Sequence, residues 1–178
     1  EARSSGCARR RGTCARGWRG SAPARLCARG APAMVHLTID GVPVSVVFAV
    51  IRAESNFNPE AESRVGARGL MQVTKTTYEW IDYYRGATGA EWDDFYTPEV
   101  NIDYGTWLLS YLYKSFGNWR TVYAAYNAGP NAVKKWLQNP EYSSDGETLY
   151  NIPYSETSKY VEKVSSYRDG YMSVYDFE

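Results

Sequence analysis

The chain has 178 residues, of which 44% are hydrophobic and 15% aromatic, and its formal net charge is zero. This length predicts one domain with a buried core, and the hydrophobic content excludes a wholly disordered chain. No run of residues approaches the roughly 18 consecutive apolar residues that a membrane-spanning helix needs.

The net charge of zero conceals two segments of opposite charge. Residues 1–34 contain eight Arg and one Glu and therefore carry +7, while residues 35–178 carry −7. All three Cys lie in the first segment and all 16 Tyr lie in the second. Because residues 1–34 are rich in Arg, Ala and Gly and lack helical or strand periodicity, we expect a disordered basic segment or a misassigned gene start. Residues 35–178 are expected to form the folded domain.

Three other interpretations of the basic segment are open but not favoured. An arm that binds nucleic acid would rest on the Arg content alone. A zinc site would have to use the spacing C-x6-C-x12-C, which lacks the CxxC pair typical of structural zinc sites. A secretory signal would need a small-residue cleavage site after the apolar run at residues 44–51, where the chain instead has Arg52-Ala53-Glu54-Ser55.

Two helices are predicted in the first half of the folded domain. Pro43 suits a first helical turn, and Asn58-Pro59 ends the helix that follows. One face of this helix carries Val47, Val50, Ile51 and Glu54. A glycine-rich turn at residues 65–69 leads into a second helix. Its predicted inner face consists of Leu70, Val73, Thr77, Trp80, Ile81 and Tyr84.

Four further helices are predicted beyond residue 97. The first runs from Pro98 to Gly117, which is placed as its C′ residue, and the second covers Arg120–Ala128. The third is closed by Asn139-Pro140, and its buried residues are Val133, Trp136 and Leu137. Ser155 is predicted to be the N-cap of the last helix, whose inner face carries Tyr160, Val161, Val164 and Tyr167. Since no alternating strand pattern is evident, we predict a mainly α fold.

Glu54 is the most informative single residue. It continues the apolar stripe of its helix, so its carboxyl group should point toward the core or into a cleft cut into it. Desolvation in such a place raises the pKa of a carboxyl group and lets it donate a proton near neutral pH. The alternative is a structural Glu at a helix end, capped by Ser55 or Asn56 or paired with an Arg.

Two other motifs could contribute to a site. In Gly66-Ala67-Arg68-Gly69-Leu70-Met71-Gln72 the glycines allow close backbone approach to a ligand, and Gln72 offers both a donor and an acceptor. In Ala124-Ala125-Tyr126-Asn127-Ala128-Gly129-Pro130 the small residues permit close helix packing, while Tyr126 and Asn127 supply a ring and an amide. Taken alone, each motif is compatible with a purely structural role.

The motifs are much more specific in combination. The Glu-Ser pair, GARGLMQ, AAYNAGP and IPYSETSKYV follow one another within residues 42–167. In this respect the chain resembles the lytic transglycosylases of the soluble type, which have a lysozyme-like α-helical fold with a substrate cleft. The resemblance implies that residues 35–178 are a catalytic domain that cleaves the β-1,4 bond between N-acetylmuramic acid and N-acetylglucosamine. Its products would be 1,6-anhydromuramyl ends, formed without a metal or other cofactor.

The resemblance also implies roles for individual residues. Glu54 matches the single catalytic acid/base, and Tyr126 matches a tyrosine whose hydroxyl group hydrogen-bonds that carboxyl. Ser55 would help to fix the turn and the carboxyl, and Glu156 would contact a sugar or peptide of the substrate. The full set of implied substrate-binding residues is Ser55, Ser63, Gln72, Ala125, Tyr126, Asn127, Glu156 and Tyr160.

The chain departs from its relatives in two places. Many relatives have Met where this chain has Thr74, which could alter the grip on one sugar. Relatives usually have an amphipathic helix just before the one that carries the catalytic Glu, and here that place is held by the basic segment and Met34–Gly41. Absence of that helix would leave part of the core behind Glu54 uncovered.

Two alternative functions stay open. No second acid is expected to face Glu54, because Glu60, Glu62, Glu79 and Asp82 are expected to be solvated surface charges. A muramidase like the goose-type lysozymes would nevertheless use water as nucleophile in a similar cleft, and a peptidoglycan-binding module would keep the cleft without turnover.

The expected partners and location follow from the implied substrate. We expect a monomer that binds peptidoglycan glycan strands, does not bind nucleic acid and does not span a membrane. Because peptidoglycan lies outside the cytoplasm, we expect an extracytoplasmic location, although no intact signal peptide is recognisable.

Overall fold

The structure is a computed structural model and describes residues 38–175. The expectations for residues 1–34, namely disorder, a nucleic-acid arm, a zinc site or a signal segment, lie outside the described residues. The apolar run at residues 44–51 lies inside them and belongs to a helix whose residues Val46, Val50 and Ile51 are buried in the core.

Six α-helices make up most of the described chain, which confirms the predicted mainly α class. They are α1 Val44–Glu54, α2 Lys75–Arg85, α3 Pro98–Phe116, α4 Trp119–Ala128, α5 Pro130–Leu137 and α6 Ser155–Tyr175. A hairpin of two short antiparallel strands, β1 Thr38–Ile39 and β2 Val42–Pro43, leads into α1, and a 3₁₀ turn at Trp92–Tyr96 precedes α3. Neither the hairpin nor the turn was predicted, because strands of two residues show no alternation. Among these helices, none combines the length and apolar character needed to cross a membrane.

The predicted end of α3 agrees with the structure, while the starts of α4 and α6 each lie one residue before the predicted position. Helix α3 ends at Phe116 because Gly117 adopts the left-handed conformation with φ +67°. Asn118 caps α4 by accepting a hydrogen bond from the backbone N–H of Thr121. Ser155 is the first residue of α6 rather than the N-cap that was predicted.

The predicted start of α2 is wrong by five residues. The helix begins at Lys75, and Thr74 is its N-cap, accepting from the backbone N–H of Thr77. Leu70 and Val73 are buried as expected, but they reach the core from a loop. Arg68 forms bridge pairs with Glu62 and with Val73, which gives the segment an extended shape. The apolar spacing that predicted a helix from residue 70 therefore came from two sources. Leu70 and Val73 lie in the loop and Ile81 lies in the helix, and all three bury their side chains in the same core.

Helix α6 packs chiefly on α1 and α4, and α3 packs on α4. The resulting core is contiguous and apolar. Its largest fully buried side chains are Tyr104, Tyr123, Phe95, Ile51, Met71, Ile81, Leu109 and Leu112. This arrangement brings the C-terminal end of α1 against α6, across more than 100 residues of intervening chain.

A buried amide, that of Asn101 on α3, binds the backbone of the loop between α1 and α2. Asn101 is fully buried; its Nδ2 donates to the carbonyl oxygens of Arg68 and Phe95, both at 2.8 Å, and its Oδ1 accepts from Met71 N at 2.7 Å. Gly69 lies directly against this amide with φ +74°, and a Cβ atom built there would come within 2.3 Å of Asn101 Nδ2 and of the Phe95 carbonyl oxygen. Only glycine fits this position.

This packing predicts different outcomes for two glycines with the same backbone conformation. Gly66 has φ +75°, and a Cβ atom added there would meet nothing within 4 Å, whereas Gly69 is crowded. We expect Gly66→Ala to cost about 1–2 kcal/mol through its backbone conformation, and Gly69→Ala to cost about 1–3 kcal/mol more through overpacking. Urea unfolding of both variants measures the difference, and equal losses would contradict the crowding of Gly69 by the Asn101 amide and the Phe95 carbonyl.

Candidate active site

Glu54 is the last residue of α1, where the helix meets α6. Its Oε1 accepts a hydrogen bond of 2.7 Å from the hydroxyl group of Tyr160 on α6. No hydrogen-bond partner of Oε2 is found within residues 38–175. The carboxyl group is therefore held at one oxygen and free to exchange a proton at the other.

Burial raises the pKa of Glu54 from its ordinary value of 4.5 to about 7. The hydrogen bond from Tyr160 and the charge of Lys163 both act in the opposite direction and lower this pKa. Within the described part of the chain, no second carboxylate contributes to the shift. A single desolvated acid that titrates near neutral pH suits general acid and base chemistry.

The position of Tyr126 corrects one implication of the resemblance. Its hydroxyl group donates to the carbonyl oxygen of Met71 at 2.7 Å, not to Glu54, whose hydrogen bond comes from Tyr160. Burial first, and the neighbouring charge of Glu54 second, raise the pKa of Tyr126 well above its ordinary value. Tyr126 therefore lies beside Glu54 as a protonated side chain that anchors the Met71 loop.

Ser55 ties the end of α1 to the same loop. Its hydroxyl group lies 3.1 Å from the carbonyl oxygen of Ile51 and 2.8 Å from that of Leu70. The turn is thus fixed as expected, but through backbone carbonyls rather than through a bond to the Glu54 carboxyl. Substrate contact by Ser55 stays a prediction.

Gln72 and Ser63 also use part of their hydrogen-bonding capacity within the loop. The amide Nε2 of Gln72 donates to the carbonyl oxygens of Ala61 at 3.0 Å and Gly69 at 2.9 Å. Both of its N–H donors are occupied, so Gln72 can offer a ligand only its Oε1 acceptor. Ser63 Oγ accepts from Ala67 N at 3.0 Å, and within the described part of the chain its own hydrogen has no acceptor.

Asn127 and Glu156 meet at a separate cavity of about 590 Å³, where the end of α4 faces the start of α6. Thr157 lines it too, and its hydroxyl group donates to Asn127 Oδ1 at 2.8 Å. Glu156 is exposed and lies one helical turn before Tyr160. Helix α6 therefore places these residues near Glu54, because Tyr160 on the same helix binds its carboxyl group.

Ala125, in contrast, is 1% exposed, which leaves its side chain chiefly a packing role.

The four nearby acids are more varied than expected. Glu60, Glu62 and Glu79 are exposed, and Glu62 accepts a hydrogen bond from Tyr96. The prediction of a solvated surface charge is wrong for Asp82. Its Oδ1 accepts hydrogen bonds from Thr88 N, Thr88 Oγ1 and Tyr104 Oη, and these bonds lower the pKa of Asp82. Across residues 38–175, no three His, Cys, Asp or Glu side chains could together hold a metal ion.

Sequence reasoning missed two residues that shape the site. Lys163 donates to the carbonyl oxygen of Ala53 at 2.9 Å and places its charge near Glu54. Its spacing of three residues from Tyr160 on one helix was a usable signal. Asn101 gave a weaker signal, a polar residue one position before the apolar stripe of α3.

Comparison with known proteins identifies close similarities. The family model described as the Transglycosylase SLT domain matches residues 35–149. The soluble lytic murein transglycosylase of Escherichia coli K12 is 40% identical over 129 residues, which cover 71% of this chain and 20% of that protein. The chain thus spans about a fifth of the length of this relative.

Solved structures agree with the sequence comparison. The 70 kDa soluble lytic transglycosylase of Escherichia coli matches with a TM-score of 0.66 and 37% identity, covering 74% of this chain and 22% of that one. The lytic transglycosylase Slt of Pseudomonas aeruginosa matches with a TM-score of 0.68 and 36% identity, covering 78% and 23%. The latter structure is of an inactive mutant in which glutamine replaces a glutamate. These likenesses confirm the lysozyme-like helical fold.

The two tyrosines beside Glu54 are expected to respond differently to removal of their hydroxyl groups. Tyr160→Phe should raise the pKa of Glu54 by about one unit, because a hydrogen bond to an ionised group is worth about 1.5 kcal/mol. Tyr126→Phe should leave this pKa in place and instead lower stability by about 1–2 kcal/mol, since the Met71 carbonyl loses its partner. Carboxyl ¹³C NMR titration and urea unfolding measure the two effects. A pKa shift of equal size in both variants would contradict the assignment.

Proposed function

Because the chain belongs to the transglycosylase SLT domain family, we propose that residues 35–178 form a peptidoglycan lytic transglycosylase domain. It cleaves the β-1,4 bond between N-acetylmuramic acid and N-acetylglucosamine, and Glu54 is its only catalytic acid and base. The observation that carries the proposal is the desolvated Glu54 carboxyl group, with a pKa raised to about 7 and one oxygen held by Tyr160. The Pseudomonas aeruginosa relative, inactive with glutamine in place of a glutamate, supports a role of this kind for a carboxyl group.

The reaction begins with the protonated form of Glu54. At a pKa of about 7 a large fraction of the carboxyl groups carries a proton near neutral pH. Oε2 is the oxygen that holds this proton, since Oε1 accepts from Tyr160. It passes the proton to the glycosidic oxygen as the bond to C1 of the muramyl sugar breaks, with help from the substrate's own acetamido group.

The second half of the reaction uses the carboxylate that results. Glu54 removes the proton from the C6 hydroxyl group of the same muramyl sugar, and the C6 oxygen closes on C1 to give the 1,6-anhydro ring. The proton returns to Glu54, no water is consumed and the two products together have the mass of the substrate. A nucleophile tethered to the reacting sugar has a high effective concentration, which suits a site with one carboxylate.

The same proposal includes the partner, the location and the residues that bind substrate. Glycan strands are the partner, the protein acts outside the cytoplasm where peptidoglycan lies, and we propose a monomer. Asn127 and Glu156 meet the substrate at their shared cavity, and Gln72 meets it through its free acceptor oxygen. A hydrolysing muramidase and a non-catalytic binding module are the alternatives that the products distinguish.

Substitution of the acid tests this mechanism directly. We expect Glu54→Gln to lower cleavage of purified peptidoglycan by about 10²–10⁴-fold, because the amide can neither donate nor accept the proton. Mass spectrometry of wild-type products should find anhydromuramyl ends, one water lighter than hydrolysis products. Reducing ends would identify a muramidase instead, and binding without cleavage would identify a binding module. Near-normal turnover by Glu54→Gln would exclude Glu54 as the acid.

The same variant has a second effect that depends on pH but not on activity. The folded-state pKa of Glu54 lies above its ordinary value, so the stabilisation that its proton provides is complete below pH 4.5 and is lost as pH rises through about 7. Gln cannot ionise. Relative to wild type, Glu54→Gln should therefore gain up to about 3 kcal/mol of stability between pH 4 and pH 8. Urea unfolding at both pH values measures this gain, and a constant difference would contradict burial of the charge.

A further inference from the structure

A cavity of about 350 Å³ lies where the turn between α3 and α4 faces α6, and neither Glu54 nor Tyr160 lines it. Two arginines line it, Arg120 on α4 and Arg168 on α6, together with one acid, Asp169. Within the described chain these three are its charged lining residues, so two positive charges and one negative charge leave a positive balance. A concave site of this charge attracts negatively charged ligands.

A buried hydroxyl group in the wall of this cavity lacks an acceptor. Tyr123 on α4 lines the cavity and is 1% exposed, and its hydroxyl hydrogen has no acceptor among the residues that the structure describes. The neighbouring Arg168 cannot provide one, because a guanidinium group only donates. Burial raises the pKa of Tyr123 above its ordinary value despite the opposing charge of Arg168, so the hydroxyl group keeps its proton. A buried donor in this state is stabilised by an acceptor oxygen from a ligand.

Arg120 provides further donors on the same side of α4. It lies three residues before Tyr123 and therefore on the same helix face. Its Nε donates to the carbonyl oxygen of Leu149 at 3.2 Å, which fixes the guanidinium group; in residues 38–175 its two terminal nitrogens have no hydrogen-bond partner. Asp169 is exposed and, over the same residues, forms no ion pair. The acid of the lining therefore does not supply the acceptor that these donors lack.

Three aromatic rings form another part of the cavity wall. The Trp119 ring is stacked on Tyr113 at 4.4 Å and 27°, and on Tyr123 at 6.1 Å and 25°. Rings held in this way offer an apolar surface without losing further side-chain freedom on binding. The combination of rings and cationic donors suits a ligand that has both an apolar body and an anionic group.

The balance of charges favours a carboxylate over a phosphate. Guanidinium groups bind both kinds of anion well. Asp169, however, lies in the same lining and repels a ligand more strongly when that ligand carries two negative charges. A single negative charge matches the positive balance of the cavity.

We propose that this cavity binds the carboxylate group of an organic acid with an apolar or aromatic body. The carboxylate oxygens accept hydrogen bonds from the Tyr123 hydroxyl group and from Arg120, and the body packs on Trp119 and Tyr113. A free acid and the C-terminal residue of a peptide present the same groups. The inference is independent of the proposed function, because binding here requires no cleavage.

Titration with N-acetylphenylalanine and with N-acetylphenylalaninamide tests the proposal, since the two differ in the carboxylate. We expect the acid to shift the NMR signal of the Trp119 indole N–H and to bind about tenfold more tightly than the amide, a difference of about 1.4 kcal/mol. Inorganic phosphate should bind more weakly than the acid. Equal binding of acid and amide, no binding of the acid, or tighter binding of phosphate would overturn the proposal.

A matched pair of tyrosine variants locates the binding. Tyr123→Phe should weaken binding of N-acetylphenylalanine about fivefold, the effect of losing one hydrogen bond of about 1 kcal/mol. Tyr104→Phe is the control, because Tyr104 is also 1% exposed but its hydroxyl group donates to Asp82, outside the cavity. It should lower stability in urea and leave the affinity unchanged. Unchanged affinity in Tyr123→Phe, or an equal loss in both variants, would contradict the assigned site.

Asp169→Asn keeps the test decisive if Tyr123→Phe is poorly folded. Asp169 is exposed, so its substitution should not disturb the core. Removing its charge should strengthen binding of N-acetylphenylalanine a few-fold and reduce the discrimination against phosphate. Affinities that stay the same or fall would overturn the proposal.

A peptide ending in phenylalanine, glycyl-glycyl-phenylalanine, distinguishes the two sources of the carboxylate. Tighter binding than that of N-acetylphenylalanine supports the proposal and assigns the site to a chain end, whereas equal or weaker binding supports it with a free acid as ligand. All of these titrations work without turnover. Loss of cleavage in Glu54→Gln and loss of acid binding in Tyr123→Phe are therefore separate results, and either can fail while the other holds.

Discussion

Docking of α6 against the end of α1 is the constraint on which the site depends. It removes the Glu54 carboxyl group from water and so raises its pKa, and it supplies the Tyr160 hydroxyl group and the Lys163 charge that limit the rise. Burial alone would hold the carboxyl group protonated over a wider pH range. The opposing contacts bring it to about 7, where one group can serve as acid and then as base.

The loop between α1 and α2 takes its shape from three parts of the chain that are distant in sequence. Asn101 binds its backbone from α3, Tyr126 holds the Met71 carbonyl from α4, and Ser55 reaches the Leu70 carbonyl from the end of α1. Several residues that are expected to contact substrate thus use some of their polar groups to hold the backbone of this loop. A site built in this way is already organised before a ligand arrives, which lowers the entropic cost of binding.

Local signals accounted for much of the fold and for the central residue of the site. Gly117 ended α3, and the helical stripe through Val47, Val50 and Ile51 placed Glu54 on the inner face of α1. Two features could not be predicted because they depend on distances between helices. The shape of the 66–74 segment depends on an amide 30 residues further along the chain, and the choice of Tyr160 over Tyr126 as partner of Glu54 depends on the spacing of α4 and α6.

The hydrogen bond between Tyr160 and Glu54 joins groups 106 residues apart. During synthesis the acid is therefore made long before the helix that buries it and fixes its orientation. Until α6 docks, Glu54 remains an ordinary solvated carboxylate at the end of a short helix, ionised at neutral pH and without a proton to donate. Docking of α6 and the raised pKa of Glu54 are thus acquired in one event, and a chain interrupted before α6 carries Glu54 as an ordinary carboxylate.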